Sequence, residues 1–359
     1  MAKILCLIES LGSGGAERQL TSLATMLKGQ GYEVEVWYYV QKDFFVPILN
    51  DNGVGTRFLV DAANPRKRFF AFHRHIKQWK PDTVISYSVS PSMIVCLMKL
   101  LGAKFRLVVS ERNTTQRLNK REKIKFLLYR WADVIVPNSH SQANFIDKNF
   151  YGLTNKVKVI TNFVDTDKFC PFIGPIPAHD EIKMICVGRL MPQKNILRIV
   201  DAIAKVVTDG FTICVNWYGQ DLQDEYSRQV HNAVKEKGLE NVLIFHKPTA
   251  AIEDEYRKAD VFCLPSLYEG FPNVLCEAMC CGLPVICSRV CDNPSIVREN
   301  ENALLFDPLD VGNMAATIEE FILRSSKEKE EMGEKSRTIA LEKFSDSVFL
   351  NQYINVING

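Results

Sequence analysis

The sequence predicts an α/β protein made of two Rossmann-like domains in tandem, each a parallel sheet covered by helices on both faces. Three observations predict it. A strand, glycine loop and helix open each half of the chain, short apolar runs alternate with helix-periodic stretches, and 359 residues suit two cores better than one.

Residues 3–8 are apolar after Lys3 and lead through Gly12, Gly14 and Gly15 into a helix-periodic stretch at 16–27. Residues 181–187 repeat this plan, passing Gly188, Arg189 and Leu190 into a helical stretch at 196–207. Between these openings strands are expected at 34–40, 83–87, 105–110, 134–137 and 157–160. Beyond the second opening they are expected at 212–218, 242–245, 261–264 and 284–288. Their near-continuous apolar character is that of parallel strands buried on both sides. The segment 169–177 carries Pro171, Gly174, Pro175 and Pro177, which break helices and mark a linker, so the domains are read as 1–168 and 169–344. A charged, helical end from residue 327 is interrupted at Phe344, Ser345 and Asp346, with Ser345 expected to cap a last helix over 345–359.

A hydrophobic content of 47% with 24% charged residues excludes a disordered chain. The 11 cysteines form no CxxC pair, and with His73, His75, His140, His179, His231 and His246 they show no metal-ligand spacing. Buried reduced thiols are expected, with no metal; adjacency makes a Cys280–Cys281 disulfide sterically poor. No window approaches the ~20 apolar residues of a membrane span. The first run meets Glu9 without a cleavage pattern, so a cytosolic protein is expected. Net charge is +2, but residues 1–165 hold 24 basic against 13 acidic residues and the remainder 20 against 29. A cationic first half points to a negative partner surface.

The densest local signal spans 259–288, ADVFCLPSLYEGFPNVLCEAMCCGLPVICS. A buried strand ends at Leu264, Pro265 stops it, and a loop sets Glu269 before Gly270, Phe271, Pro272, Asn273 and Val274; the following helix carries Glu277. Glycine and a helix N-terminus offer backbone N–H groups beside an acidic side chain, which suits a diphosphate and a sugar bound together. Open parallel sheets bind ligands at such strand ends.

These residues resemble the donor-site signature of glycosyltransferase family four, the retaining group with the GT-B fold, in which two parallel sheets face a central cleft. Glu269 and Glu277 stand at its Glu-x7-Glu spacing, Gly188-Arg189-Leu190-x3-Lys194 resembles its G-R-L-x3-K, and Gly14-Gly15-Ala16-Glu17 its G-G-A-E. Asn162-Phe163-Val164-Asp165 resembles N-G-V-D, with phenylalanine in place of glycine. The resemblance implies that Arg189 and Lys194 grip the donor diphosphate, that Glu277 accepts from the ribose hydroxyls and that Glu269 faces the donor sugar. It also implies that the last helix returns to the first domain. Catalytic roles are expected for Glu269, Arg189, Lys194 and Arg112. Donor contacts are expected from Gly14, Gly15, Gly188, Lys247, Gly270, Phe271, Pro272, Asn273 and Val274 as well, and no cofactor or metal is required.

In the first half, Gly12 to Glu17 serves either as a tight structural turn or as a phosphate and acceptor contact. Acceptor contacts are expected at Gly15, Glu17, Glu111, Arg112 and Ser139, with plain helix capping as the other reading of Ser139. Arg112, in Ser110-Glu111-Arg112-Asn113, stands where the family commonly has histidine. Arginine hydrogen-bonds but is no base, which favours a front-face reaction in which the leaving β-phosphate takes the acceptor proton. Tyr218-Gly219-Gln220 replaces a G-x-G turn, and His246-Lys247-Pro248 departs from the usual loop near the base. Two basic, aromatic stretches, 66–74 and 117–131, read either as an anionic-lipid surface or as solvated helices packing their rings inward; no nucleic-acid motif accompanies them. The expected activity is hexosyl transfer from a nucleotide-diphosphate sugar, UDP-linked by the commonest usage, to a polyprenyl-diphosphate-linked glycan at the inner face of the cytoplasmic membrane. The rivals are a GT-B nucleotide-sugar epimerase, which needs no acceptor, and a silent GT-B scaffold subunit.

Overall fold

A computed structural model describes residues 1–64, 66–112, 115, 118–172 and 181–359. Asn113, Arg117, His179 and the linker segment from Ile173 onward lie outside the described residues. The chain forms two compact units, Met1–Phe163 with Ser347–Gly359, and Val164–Asp346. The division falls a few residues before the proline-rich segment expected to mark it, where Val164 N donates to Phe344 O at 2.8 Å and Asn162 stays with the first unit.

The first unit contains β1 (Lys3–Leu7), β2 (Glu33–Tyr38), β3 (Gly55–Phe58), β4 (Thr83–Tyr87), β5 (Arg106–Glu111) and β6 (Val134–Pro137), parallel in the order β3-β2-β1-β4-β5-β6. The second contains β7 (Ile182–Val187), β8 (Ile213–Tyr218), β9 (Leu243–His246), β10 (Val261–Leu264), β11 (Val285–Ser288) and β12 (Ala303–Phe306). Their order, β12-β11-β10-β7-β8-β9, is the same doubly wound topology. Successive side chains of one strand enter opposite cores, as alternation dictates. Ile4, Cys6 and Ile8 join one cluster and Leu5 and Leu7 the other, while Met184 and Cys186 face away from Ile185.

Two details correct the sequence reading, and the last helix lies where it was expected. β3 and β12 were not anticipated: β3, GTRF, is opened by glycine and half-buried with no apolar run, whereas β12, ALLF, is a buried apolar run only four residues long. Residues 157–160 are no strand. Lys158 N and Ile160 N donate to Ile135 O and Pro137 O, at 2.9 and 3.1 Å, but only an isolated bridge at Val157 results. The last helix, Asp346–Asn358, seals the first unit: Phe349, Tyr353, Val356 and Ile357 are buried against the cluster of Ile4, Cys6 and Ile85, and Arg106 Nε donates to Val356 O at 2.7 Å. Phe163 stands where small glycine was the usual residue because its ring packs on Phe349, centroids 5.1 Å apart, and Gln19 holds its backbone from both sides.

Candidate active site

In the second unit the topological switch point lies between β7 and β10, whose carboxyl ends release Gly188 and Pro265. Gly188 lies directly under the Lys194 side chain, and Gly219 against the Gly188 backbone. A Cβ on Gly188 would lie 2.8 Å from Lys194 Cε, and one on Gly219, at the end of β8, would lie 1.9 Å from Gly188 O. The two backbones therefore touch, and Trp217 Nε1 donates to Gly188 O at 2.7 Å. The glycines let the Lys194 stem fold back over the strand end, and a short turn, Pro192–Lys194, ends at Asn195 in the left-handed region with φ of 59°.

Asn195 was not anticipated. It is 3% exposed and its Nδ2 donates to Pro265 O and Pro308 O, at 3.1 and 2.7 Å. Gln193 meets the other loop twice, receiving Leu267 N and donating to Tyr268 O, both at 2.8 Å. The turn that carries Lys194 and the loop that carries Glu269 are thus stitched into one piece. Their charged tips meet: Lys194 Nζ lies 2.6 Å from Glu269 Oε1. Ser266 Oγ, fully buried and also not anticipated, donates to the same oxygen at 2.6 Å, and Ser288 Oγ holds Ser266 O at 2.7 Å. Glu269 is itself only 7% exposed, so the pair sits where charges interact strongly. A diphosphate brought to Lys194 would compete with Glu269 for the ammonium.

Around this pair, Arg189 is exposed and, among the described residues, in no ion pair or hydrogen bond. Gly270, Phe271 and Pro272 lead into the helix Asn273–Cys280, whose start has no side-chain cap. Glu277 lies on that helix beside Tyr256; burial first, and then this carboxylate, push the Tyr256 hydroxyl well above its ordinary range. Lys247 is exposed at the end of β9. His246 before it stacks on Tyr218, centroids 4.5 Å apart, with Nε2 2.8 Å from Asn216 Oδ1.

The first unit treats its expected residues differently. Gly14 begins the helix Gly15–Gly29, and Glu17 folds back so closely that a Cβ on Gly14 would lie 2.3 Å from its Oε2. That carboxylate already faces the positive helix end. Glu111 is 3% exposed and held by Lys125 Nζ at 2.8 Å and Tyr129 OH at 2.5 Å. Ser139 is fully buried and caps the next helix, accepting from Gln142 N at 3.2 Å. Arg112 donates to Asn162 Oδ1 at 2.8 Å, to Tyr353 OH at 2.6 Å and to Tyr87 OH, and its guanidinium covers the Tyr87 ring. These three tie the last helix to the ends of β4 and β5. Only its Nε is left buried without a partner.

Two six-stranded parallel sheets of this order are the architecture of the GT-B glycosyltransferases. Two family models match, Glycosyltransferase Family 4 over residues 13–168 and Glycosyl transferases group 1 over residues 174–339. The chain belongs to this family of glycosyltransferases. It is 27% identical over 295 residues to the amylovoran biosynthesis glycosyltransferase AmsD of Erwinia amylovora, covering 80% of both chains. It is likewise 27% identical over 319 residues, 83% of both chains, to a Campylobacter jejuni N-acetylgalactosamine-N,N'-diacetylbacillosaminyl-diphospho-undecaprenol 4-alpha-N-acetylgalactosaminyltransferase. Among solved structures, a glycosyltransferase from Rickettsia africae ESF-5 shares the fold with a TM-score of 0.87 at 18% identity, over 99% of this chain and 98% of that one. Anabaena Alr3699/HepE, solved with UDP and glucose, does so with a TM-score of 0.81 at 19% identity over the whole of both chains.

Proposed function

We propose that the chain moves a hexose or N-acetylhexosamine, with retention, from a UDP-sugar to a polyprenyl-diphosphate-linked glycan in bacterial surface-glycan assembly. The observation that carries the reading is the Lys194–Glu269–Ser266 cluster at the end of β7 and β10. One cation with a free neighbour, Arg189, suits a diphosphate, and an anchored carboxylate suits sugar hydroxyls. The relatives support the acceptor: both the Campylobacter enzyme and an Escherichia coli relative, UDP-Gal:alpha-D-GlcNAc-diphosphoundecaprenol alpha-1,3-galactosyltransferase, are named for diphospho-undecaprenol substrates. Their alpha linkages are what retention at an α-linked nucleotide sugar produces. Among the described residues no helix is long and apolar enough to cross a membrane, so a membrane-bound acceptor would be met peripherally.

Mechanistically, Arg189 and Lys194 would stabilise charge as the diphosphate departs, with no metal needed. Glu269 orients the sugar, and the leaving β-phosphate takes the acceptor proton. The test is a binding and release screen with UDP-, GDP-, ADP- and dTDP-sugars, with and without a polyprenyl-diphosphate glycan. Stabilisation by UDP-sugars with acceptor-dependent UDP release is expected. Release without acceptor would replace transfer with epimerisation, and binding of none would leave a scaffold.

A further inference from the structure

From Ser288, the last residue of β11, the chain turns through residues 289–292 into the short helix Asn293–Ile296. Ser288 and Asn293 are fully buried and Asp292 is 2% exposed, so the turn carries polar groups that need partners. Asn293 Nδ2 donates to Ser288 O at 3.0 Å and to Ser288 Oγ at 3.4 Å, and Val290 N donates to the same carbonyl at 2.9 Å. Ser288 is thereby fixed at both its oxygens, and its hydroxyl is the group that holds Ser266 O. Cys291 makes a second contact with the Glu269 loop. Its Sγ accepts from Glu269 N at 3.5 Å. The turn therefore grips the loop at two points, the carbonyl of Ser266 and the N–H of Glu269.

Cys291 reaches that N–H from a backbone that disfavours it. Its φ is 48°, in the left-handed region that glycine enters freely and other residues seldom do. Glycine would satisfy the turn but could not reach Glu269. Strain of this kind persists only where the surrounding structure holds it, and it gathers at working sites. Cys291 is also the one exposed thiol of the chain, so core packing does not account for it.

We propose that the turn after β11 is the fixed half of a two-sided clamp on Glu269, with Cys291, Ser288 and Asn293 as its positioning residues. The inference rests on the transfer reading above. Glu269 Oε1 has two partners, Lys194 Nζ and Ser266 Oγ, each at 2.6 Å. In that reading Lys194 turns to the diphosphate when the donor arrives. What stays is Ser266, held through Ser288 and Asn293, and the loop backbone, held by Cys291. These contacts are uncharged, so a diphosphate exerts no pull on them comparable to its pull on an ammonium. The carboxylate then keeps its angle to the sugar after its salt-bridge partner has gone.

The test uses the full chain and reads acceptor-dependent UDP release, UDP affinity, and hydrogen exchange of the Glu269 amide by NMR. Cys291→Gly suits the backbone better, so its melting temperature should hold or rise, while kcat falls about twofold to tenfold, the rate equivalent of one net hydrogen bond. Cys291→Ser keeps an acceptor and should recover most of the rate. Ser288→Ala should lower kcat by a similar factor, with Ser288→Thr restoring it; Cys291→Gly decides the matter if Ser288→Ala does not fold. UDP carries no sugar for Glu269 to face, so its Kd should move less than about twofold in each variant. The Glu269 amide should exchange faster in Cys291→Gly than in the wild type or Cys291→Ser. Arg289→Gln, on the same turn but paired with Glu299 at the surface, is the control and should leave all three readouts unchanged. Cys291→Gly at the wild-type rate overturns the positioning role, because Glu269 would then be placed without the turn. A loss of UDP affinity equal to the loss of rate overturns it as well, making the turn a general support. So does slower transfer without faster exchange, since Cys291 would then not act through Glu269. A wild type that releases no UDP overturns the transfer reading together with the role built on it; release in the wild type with unaltered variants overturns only the positioning.

Discussion

Glu111 and Glu269 are both buried glutamates at the carboxyl end of a strand or just beyond it, and each has a lysine within hydrogen-bonding distance. Their settings differ. Lys125 is as buried as Glu111 and shared with Glu122, so that first-unit pair is closed on itself. Lys194 is more exposed than Glu269, and Arg189, in no ion pair among the described residues, stands close by in sequence. The comparison teaches that a buried charge at a strand end is a site only where its partner still has somewhere else to go. Glu111 and Arg112 hold the first unit together; in the proposed reading Lys194 would exchange Glu269 for the donor diphosphate.

The largest expected effect breaks the closed pair. Lys125→Met leaves Glu111 charged and buried, which costs about 3–5 kcal/mol of stability. Urea denaturation measures it, and adding Glu111→Gln should recover a large part. A loss below about 1 kcal/mol, the value of an exposed pair, would make the two lysines equivalent.

The two arginines sharpen the contrast next. Arg189→Ala should lower kcat/KM about 10²–10³-fold, as loss of a charge-stabilising donor does, with the melting temperature unchanged. Arg112→Met should instead cost about 2 kcal/mol of stability, because it strips charged hydrogen bonds from Asn162, Tyr87 and Tyr353. An Arg112 variant of full stability and abolished transfer would restore it to the chemistry. Below these, Ser266→Ala should lower transfer about tenfold by freeing Glu269, with Ser266→Thr restoring most of it. A rate unchanged in Ser266→Ala would leave Lys194 alone to orient the carboxylate.

Why some of this was legible and some was not follows from distance along the chain. The parallel sheets could be read because most strands carry their own apolar run; β3 escaped because GTRF has none, whereas β12, ALLF, carries one as short as those of the edge strands β6 and β9, which were read. Lys194 and Glu269 were singled out by the resemblance of Gly188-Arg189-Leu190-x3-Lys194 and Glu269-x7-Glu277 to the family's donor-site signature. Ser266 and Asn195 could not, because a buried serine after Pro265 has no meaning until the loop folds onto Glu269, and Asn195 bridges to Pro265 and Pro308 far along the chain. Likewise nothing in the run KREKIKFLL says that its third lysine, Lys125, points inward to Glu111.

The smallest expected effect compares the units through their buried thiols. In the first unit burial pushes Cys6 and Cys96 up to about 12, from an ordinary 9.0. In the second it raises Cys186, Cys276, Cys280, Cys281 and Cys287, with Cys280 and Cys281 at about 12. The sign follows from where the proton is lost. A thiol whose folded value exceeds its unfolded one contributes stability fully present below pH 9 and lost as pH rises toward the folded value, because only the unfolded chain releases the proton. At pH 9 each thiol removes a few tenths of a kcal/mol, at most. Tyrosines, ordinarily near 10, barely contribute there. With more such thiols, the second unit should lose more stability than the first between pH 7.5 and 9. Pulse proteolysis in urea, with fragments mapped to each unit, measures the two losses separately. Equal losses would show that the additional thiols of the second unit sit in surroundings no harsher to a thiolate than those of the unfolded chain.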